Sequence, residues 1–259
     1  METGKSTKTI GSVEKTVRIL NIVGESEAGL GATEISRAIG CGVSATYHLL
    51  NTLRQNDLLQ QDPQNKRYCL GVGIFRLSAL AQRQNTLTSA AQPYLDALSD
   101  ACGETSNLVI LRDREIIYLA QREGSSMVKL FTRLGARVPF YCTGGGKVIL
   151  AFLPRAVQEA HIRDTKLVAF TPHTITRRAE LLRELDCIRQ QGYAYDRGER
   201  EEGVLCIAAP VFNAAGEPMA ATSLSGPAYR LEAKGLETLT GRVVESAAAL
   251  SLRMGWNGK

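Results

Sequence analysis

No apolar run in this 259-residue chain approaches the roughly 20 residues needed to cross a bilayer. The opening Met1–Thr9 stretch is polar and lacks the apolar centre of a signal peptide. The expectation is a cytoplasmic protein with no membrane partner. The six cysteines, at 41, 69, 102, 142, 187 and 206, form no CxxC pair, so zinc ribbons and dithiol redox motifs are excluded. Reduced, packing thiols are expected in that compartment. Only three histidines occur, His48, His161 and His173, and neither HExxH nor a GxSxG elbow is present. A couple of Cys142 or Cys206 with His161 or His173 is chemically conceivable, but a buried cysteine more often simply packs. Cys142, Cys206 and Asp196 together would suit zinc. Their spacing follows no metal pattern, so no metal and no cofactor is expected. A strong charge excess is also missing: the net charge is +5, and residues 1–75 hold eight Lys/Arg against seven Asp/Glu. Bulk charge therefore does not argue for nucleic acid. Only local placement does, and specific binding should need a dimer.

What is present begins at Gly31–Leu53. Ile35, Ala38 and Ile39 fall on one helical face, and Leu49, Leu50 and Leu53 repeat the spacing after Gly40-Cys41-Gly42. The two glycines allow positive φ and close helix approach, and Ser36 is small where the helices would cross. This is the pattern of a helix-turn-helix, braced by an amphipathic helix over Val13–Val23. The residues of the second helix that avoid the apolar face are Ser44, Ala45, Thr46, Tyr47, His48 and Asn51. Their hydroxyls, imidazole and amide can bond base edges or phosphates, and the Ala45 methyl can meet a thymine methyl. No acidic residue lies between Glu34 and Asp57. Two short β-type runs then flank Pro63-Gln64-Asn65-Lys66-Arg67, a wing whose tip offers Lys66 and Arg67 to the DNA backbone or the minor groove. A tight helical corner also occurs in enzymes, and polar residues on a helix often just face water. It is the order helix, glycine turn, helix, basic-tipped hairpin that favours double-stranded DNA.

Beyond the wing, Ile74–Leu98 has a helical period with a break predicted at Pro93, and Phe75–Gln82 reads as a linker helix. The texture then changes. Strands are predicted at Leu108–Asp113, Glu115–Ala120, Met127–Phe131, Cys206–Phe212 and Ala220–Gly226. Helices are predicted at Gly145–Phe152, Arg178–Gln190 and Leu231–Met254. The expected fold class is α+β: a winged helix-turn-helix over residues 10–72, a linker helix over 73–90, and an antiparallel sheet with helices over 91–255. Thr143-Gly144-Gly145-Gly146-Lys147 is not a phosphate loop, because Tyr141 and Val148 stand where a Walker A motif needs Gly and Ser or Thr. Two readings stay open there: a capped helix start whose bare amides attract a carboxylate, or a glycine-assisted turn with no ligand.

Taken with Arg67-Tyr68-Cys69-Leu70-Gly71, the block Gly203-Val204-Leu205-Cys206-Ile207-Ala208-Ala209-Pro210-Val211-Phe212 and Ser223-Leu224-Ser225-Gly226-Pro227, the chain from about Gly11 to Met254 resembles the IclR family of bacterial transcriptional regulators. The resemblance implies a GAF-like effector domain behind the winged helix, assembly as a dimer or a dimer of dimers, and repression or activation of catabolic genes by a small organic acid, aromatic acids included. It places the acid's carboxylate at Gly144 and Gly145. Asp196, Cys206, Ser223 and Ser225 would form the polar wall, and Met127, Leu130, Val138 and Val204 the apolar wall. Two departures stand out: the helix start is unusually rich in glycine, and the acidic run Glu199-Arg200-Glu201-Glu202 is interrupted by Arg200. A committed Arg or Lys in the pocket is not expected. The rival reading is a thiol-dependent enzyme carrying a helix-turn-helix as an interaction module.

Overall fold

The computed structural model describes residues 9–84, 86–126 and 133–258. The chain divides into two compact units, Met1–Gln84 and Asn85–Lys259, each with its own core. The first holds α1 (Gly11–Glu25), α2 (Ala32–Ile39), α3 (Val43–Gln55), β1 (Leu59–Gln61), β2 (Tyr68–Leu70) and α4 (Val72–Gln84). Its core joins Ile19 and Val23 of α1, Ile35 and Ile39 of α2, Leu50 and Leu53 of α3, and Leu59 and Tyr68 of the wing. Ala38 is exposed and Ser36 is the buried residue. The Ser36 hydroxyl donates to the Cys41 carbonyl at 2.6 Å, and the Cys41 N–H donates to the Ser36 carbonyl at 3.1 Å. Ser36 thus ties the turn, beyond merely leaving room for it. Gly40 sits at φ +63°, the left-handed helix end that glycine adopts at little cost. Gly42 has φ −60° and open space where a Cβ would stand, so only one of the two glycines is demanded by geometry. The strands β1 and β2 pair antiparallel, with Leu59 opposite Leu70. Tyr68 also exchanges two backbone bonds with Leu30, at 3.0 and 2.8 Å.

The second unit contains α5 (Thr86–Cys102), β3 (Thr105–Arg112), β4 (Glu115–Arg122), β5 (Arg137–Pro139), α6 (Gly144–Phe152), α7 (Arg155–Arg163), α8 (Arg178–Gln191), β6 (Ala194–Arg197), β7 (Val204–Phe212), β8 (Pro218–Pro227), α9 (Ala228–Ala233) and α10 (Leu236–Arg253). Six strands form one antiparallel sheet in the order β5-β4-β3-β8-β7-β6. Alternation along the strands divides the sheet between two cores. Leu108, Ile207 and Leu224 face α5 and α10, meeting Leu95, Val243 and Leu250. Val109, Ala208 and Ala221 face α6 and α8, meeting Ile149, Leu181 and Leu185. Small alanines on that second face let α6 lie close to the sheet.

Three expectations change. The helix α5 continues through Pro93, which is exposed. The single closing helix is two, α9 and α10, separated at Gly235 with φ +86°. The short strands β5 and β6 and the helix α7 were not anticipated. The strand expected at Met127–Phe131 lies outside the described residues.

Candidate DNA interface and effector cavity

In the first unit, α3 turns Ser44, Ala45, Tyr47, His48 and Asn51 outward, all exposed. Thr46 does not belong with them. It is fully buried, and its hydroxyl donates to the Gly42 carbonyl at 3.0 Å. It holds the first turn of the helix against the core, so it cannot reach a base edge. The wing tip is built by Asp62, whose Oδ1 accepts from the backbone N–H of Gln64 at 2.7 Å. Lys66 occupies the left-handed region at φ +59° and is exposed. Arg67 is engaged elsewhere: its Nε donates to the carbonyls of Ala28 and Gly29 at 3.2 and 3.1 Å, and its Nη2 pairs with Glu34 at 3.0 Å. Glu34 in turn accepts from the Gly31 N–H at 2.7 Å, and that bond leads in holding its carboxyl below the usual range. Arg67 therefore clamps the wing to the start of α2, and of the wing pair Lys66 alone is uncommitted.

In the second unit, the concave face of the sheet beneath the start of α6 opens into a cavity of about 280 Å³, at the small end of ligand pockets. Its polar lining is Thr143, Gly145, Asp196, Cys206, Ser223 and Ser225, and Val138 and Val204 lie on its apolar side. Met127 and Leu130 lie outside the described residues. Gly144 is not on the wall. A Cβ there would stand 3.3 Å from Ala208 and 3.5 Å from the Cys206 sulfur, so it packs behind the wall. At Gly145 a Cβ would sit 2.5 Å from Val109 Cγ2, and at Gly146 2.3 Å from the Phe140 carbonyl oxygen. The glycine run is thus required by helix-to-sheet packing, whatever else it does. Thr143 Oγ1 caps the Gly146 N–H at 3.2 Å. Among the described residues nothing accepts from the N–H groups of Gly144 and Gly145.

Sequence reasoning missed Val109, Ile116, Tyr118, Arg133, Ala136, Arg200 and Glu201 on the cavity wall. Ile116 and Tyr118 sit two apart on β4, a period that could have revealed them. The cavity does contain arginines, against expectation, although the Arg200 guanidinium also lies 4.0 Å over the Phe170 ring. Lys147 is not on the wall. It is 1 % exposed and ion-paired to Glu199 and, at 3.0 Å, to Glu184. Burial lowers its pKa, but the two carboxylates outweigh that and leave it raised.

Neither Cys206 on the cavity wall nor the buried Cys142 is activated. Burial pushes Cys142 up to about 12 and Cys206 up to about 11. A nucleophilic cysteine needs the opposite shift, and the His161 ring packs against Phe140 at 6.1 Å. All six cysteines are free. Among the described residues no three His, Cys, Asp or Glu side chains gather as a metal site, and no helix is long and apolar enough to cross a membrane.

Comparison with known proteins gives the same reading for both units. Residues 12–63 match the IclR helix-turn-helix domain, and residues 79–252 match the bacterial transcriptional regulator IclR C-terminal domain. The HTH-type transcriptional regulator XynR of Escherichia coli is 33 % identical over 247 residues, covering 95 % of this chain and 98 % of that protein. The crystal structure of a regulator from Alicyclobacillus acidocaldarius has a TM-score of 0.86 at 28 % identity, covering 96 % of this chain and all of that one. An IclR homologue from Microbacterium hydrocarbonoxydans, solved in complex with 4-hydroxybenzoate, has a TM-score of 0.82 at 22 % identity, over 94 % of this chain and 98 % of its own; at that identity it shows a shared fold. These proteins are regulators of transcription, which sets aside the thiol-enzyme reading. The chain belongs to the IclR family of bacterial transcriptional regulators.

Proposed function

We propose that this regulator works in the cytoplasm as a dimer or dimer of dimers, binds double-stranded operator DNA through α3 and the wing, and changes its grip when a small organic acid enters the cavity of the second unit. Ser44, Ala45, Tyr47, His48 and Asn51 face the major groove, and Lys66 meets the backbone. Assembly is supported by the apolar residues that the first unit leaves exposed. Val13 and Val17 on α1 are 55 % and 52 % exposed, and Val72 and Phe75 on α4 are 70 % and 76 % exposed. Contiguous exposed apolar patches mark protein–protein contact sites.

The observation that carries the effector reading is the start of α6. The N–H groups of Gly144 and Gly145, which nothing among the described residues accepts, stand at the positive end of a helix, and Gly145 lines a small cavity whose wall is part polar and part apolar. That combination suits a carboxylate on a ring or short chain. The family setting points to control of catabolic genes. Calorimetry with pyruvate, benzoate and 4-hydroxybenzoate, each beside its neutral amide, tests the anchor. At least one acid should bind, and its amide should bind at least about tenfold more weakly, the loss of one charge-assisted contact. Equal affinity for acid and amide would remove the carboxylate from the account.

A further inference from the structure

Asp196 is 4 % exposed and lines the cavity. It sits in β6 opposite Cys206 of β7, the residue against which Gly144 packs. One carboxylate oxygen accepts from the Glu199 N–H at 2.7 Å. Among the described residues no cation forms an ion pair with it: Lys147 is committed to Glu199 and Glu184, and Arg200, on the same wall, acts on it from further away. The proposed acid would place a second carboxylate in the same small space. Two like charges so close in low dielectric repel strongly, and the relief available is for one of them to take a proton. The effector carboxylate has the helix amides to hold its charge. Asp196 has the backbone N–H groups of Glu199 and Arg200 and no ion pair among the described residues, and burial outweighs them and the more distant charges of Lys147 and Arg200.

We propose that Asp196 enters the liganded state as the protonated acid and serves as a hydrogen-bond donor to the bound effector, so that the cavity takes up one anion and one proton together. The inference rests on the effector reading above. In balance, the Asp196 carboxylate, a free proton and the effector anion combine to a complex in which the carboxyl O–H points at an effector oxygen. No bond other than O–H is made. The neighbours leave Asp196 as the group that changes. From β4 comes the Tyr118 hydroxyl, from the turn before α6 the Cys142 thiol, and from β7 the Cys206 thiol; burial raises all three, so they stay neutral at physiological pH. From α6 comes Lys147, which stays charged, from the loop after β6 come Glu199, Arg200 and Glu201, and Arg133 lines the same cavity. Burial pushes the empty-cavity Asp196 up to about 6, against the pull of the Glu199 N–H, Lys147 and Arg200. Glu199 itself rises to about 7 by burial, which makes it the group to control for. The sign follows by linkage. Above the pKa of Asp196 in the empty cavity, binding must draw a proton from solvent, so affinity falls as pH rises; below it, affinity levels off. The device also confers selectivity, because a donor at Asp196 favours effectors with an acceptor oxygen there and gives nothing to an apolar group.

The test is calorimetry of the full chain with pyruvate, benzoate and 4-hydroxybenzoate, in two buffers of different ionisation enthalpy, from about pH 6 to 8. For the acid that binds, proton uptake should approach about one per acid, and Kd should weaken up to about tenfold per pH unit. Asp196→Asn, which keeps an amide donor, should bind with a pH-independent Kd and no uptake, whereas Glu199→Gln should keep the uptake. A protonated-carboxyl stretch should appear in the infrared difference spectrum of the wild type on binding and be missing in Asp196→Asn; this reading needs no second folded variant. Binding by the wild type without uptake, or uptake that persists in Asp196→Asn, would overturn the inference and leave the effector reading standing. Failure of every acid to bind at either end of the pH range would overturn the effector reading itself.

Discussion

Single residues decide how the DNA module is read. Thr46 and His48 are both polar, yet on a helical wheel Thr46 falls with Leu49, Leu50 and Leu53 and is fully buried, while His48 lies opposite and is exposed. Lys66 and Arg67 are adjacent, yet only Lys66 is uncommitted. We expect Lys66→Ala to weaken binding to all DNA sequences alike and to lower the slope of log K against log salt by about one per wing. Arg67→Ala should also lower the melting temperature of the protein, because it removes the clamp to Ala28, Gly29 and Glu34. Filter binding across a salt series and thermal unfolding separate the two. If Lys66→Ala keeps the wild-type slope, the wing does not touch phosphate. The face of α3 was legible in the sequence because helical period fixes it. The same period puts Thr46 three, four and seven residues before Leu49, Leu50 and Leu53, on the buried face, and grouping it with the outward residues followed its polarity instead. In the cavity, Asp196, Cys206, Ser223 and Ser225 were named from the family resemblance. Arg200 and Glu201 were missed because they come from a loop closed by glycines at positive φ, Gly198 and Gly203, where no period applies.

Among the elements, α6 does most to shape the second unit. Its first turn borders the cavity, its glycines press on Val109 and Phe140, and Lys147 one turn in is buried among acids. Removing one partner of a buried pair strands the other's charge, which costs about 3–5 kcal/mol. Lys147→Met should destabilise the second unit by that amount, and adding Glu199→Gln should recover part of it, as read by thermal unfolding. A loss under about 1 kcal/mol, the range of exposed pairs, would mean that the triad is solvated. Gly145→Val is not a clean test of ligand binding, because its side chain would collide with Val109 whether or not an acid binds. Both β3–β4 and β7–β8 were readable as apolar runs flanking turn residues, as was α8 from its ending at Gly192. β5 and β6, of three and four residues, are too short to show a period. The continuation of α5 through Pro93 depends on that residue facing water, which only the tertiary structure decides.

At the scale of the whole molecule, the assembly proposed above rests on the exposed apolar residues of α1 and α4. Phe75→Glu should shift the sedimentation mass toward one chain and cost at least about tenfold in operator affinity, since a second half-site is lost. Retention of both the assembly and the affinity would place the interface elsewhere. The central claim is that one chain carries both a DNA grip and a cavity that modulates it. Such modulation exists only if the effector binds two forms of the protein unequally. The most direct measurement is the affinity for the promoter fragment beside its own gene, with and without a saturating acid chosen by calorimetry, for the wild type and for Ser223→Ala. The account predicts that the acid changes wild-type affinity at least about fivefold, the low end of allosteric coupling, and that Ser223→Ala shows a smaller change. An acid that binds the wild type while DNA affinity stays the same would contradict it.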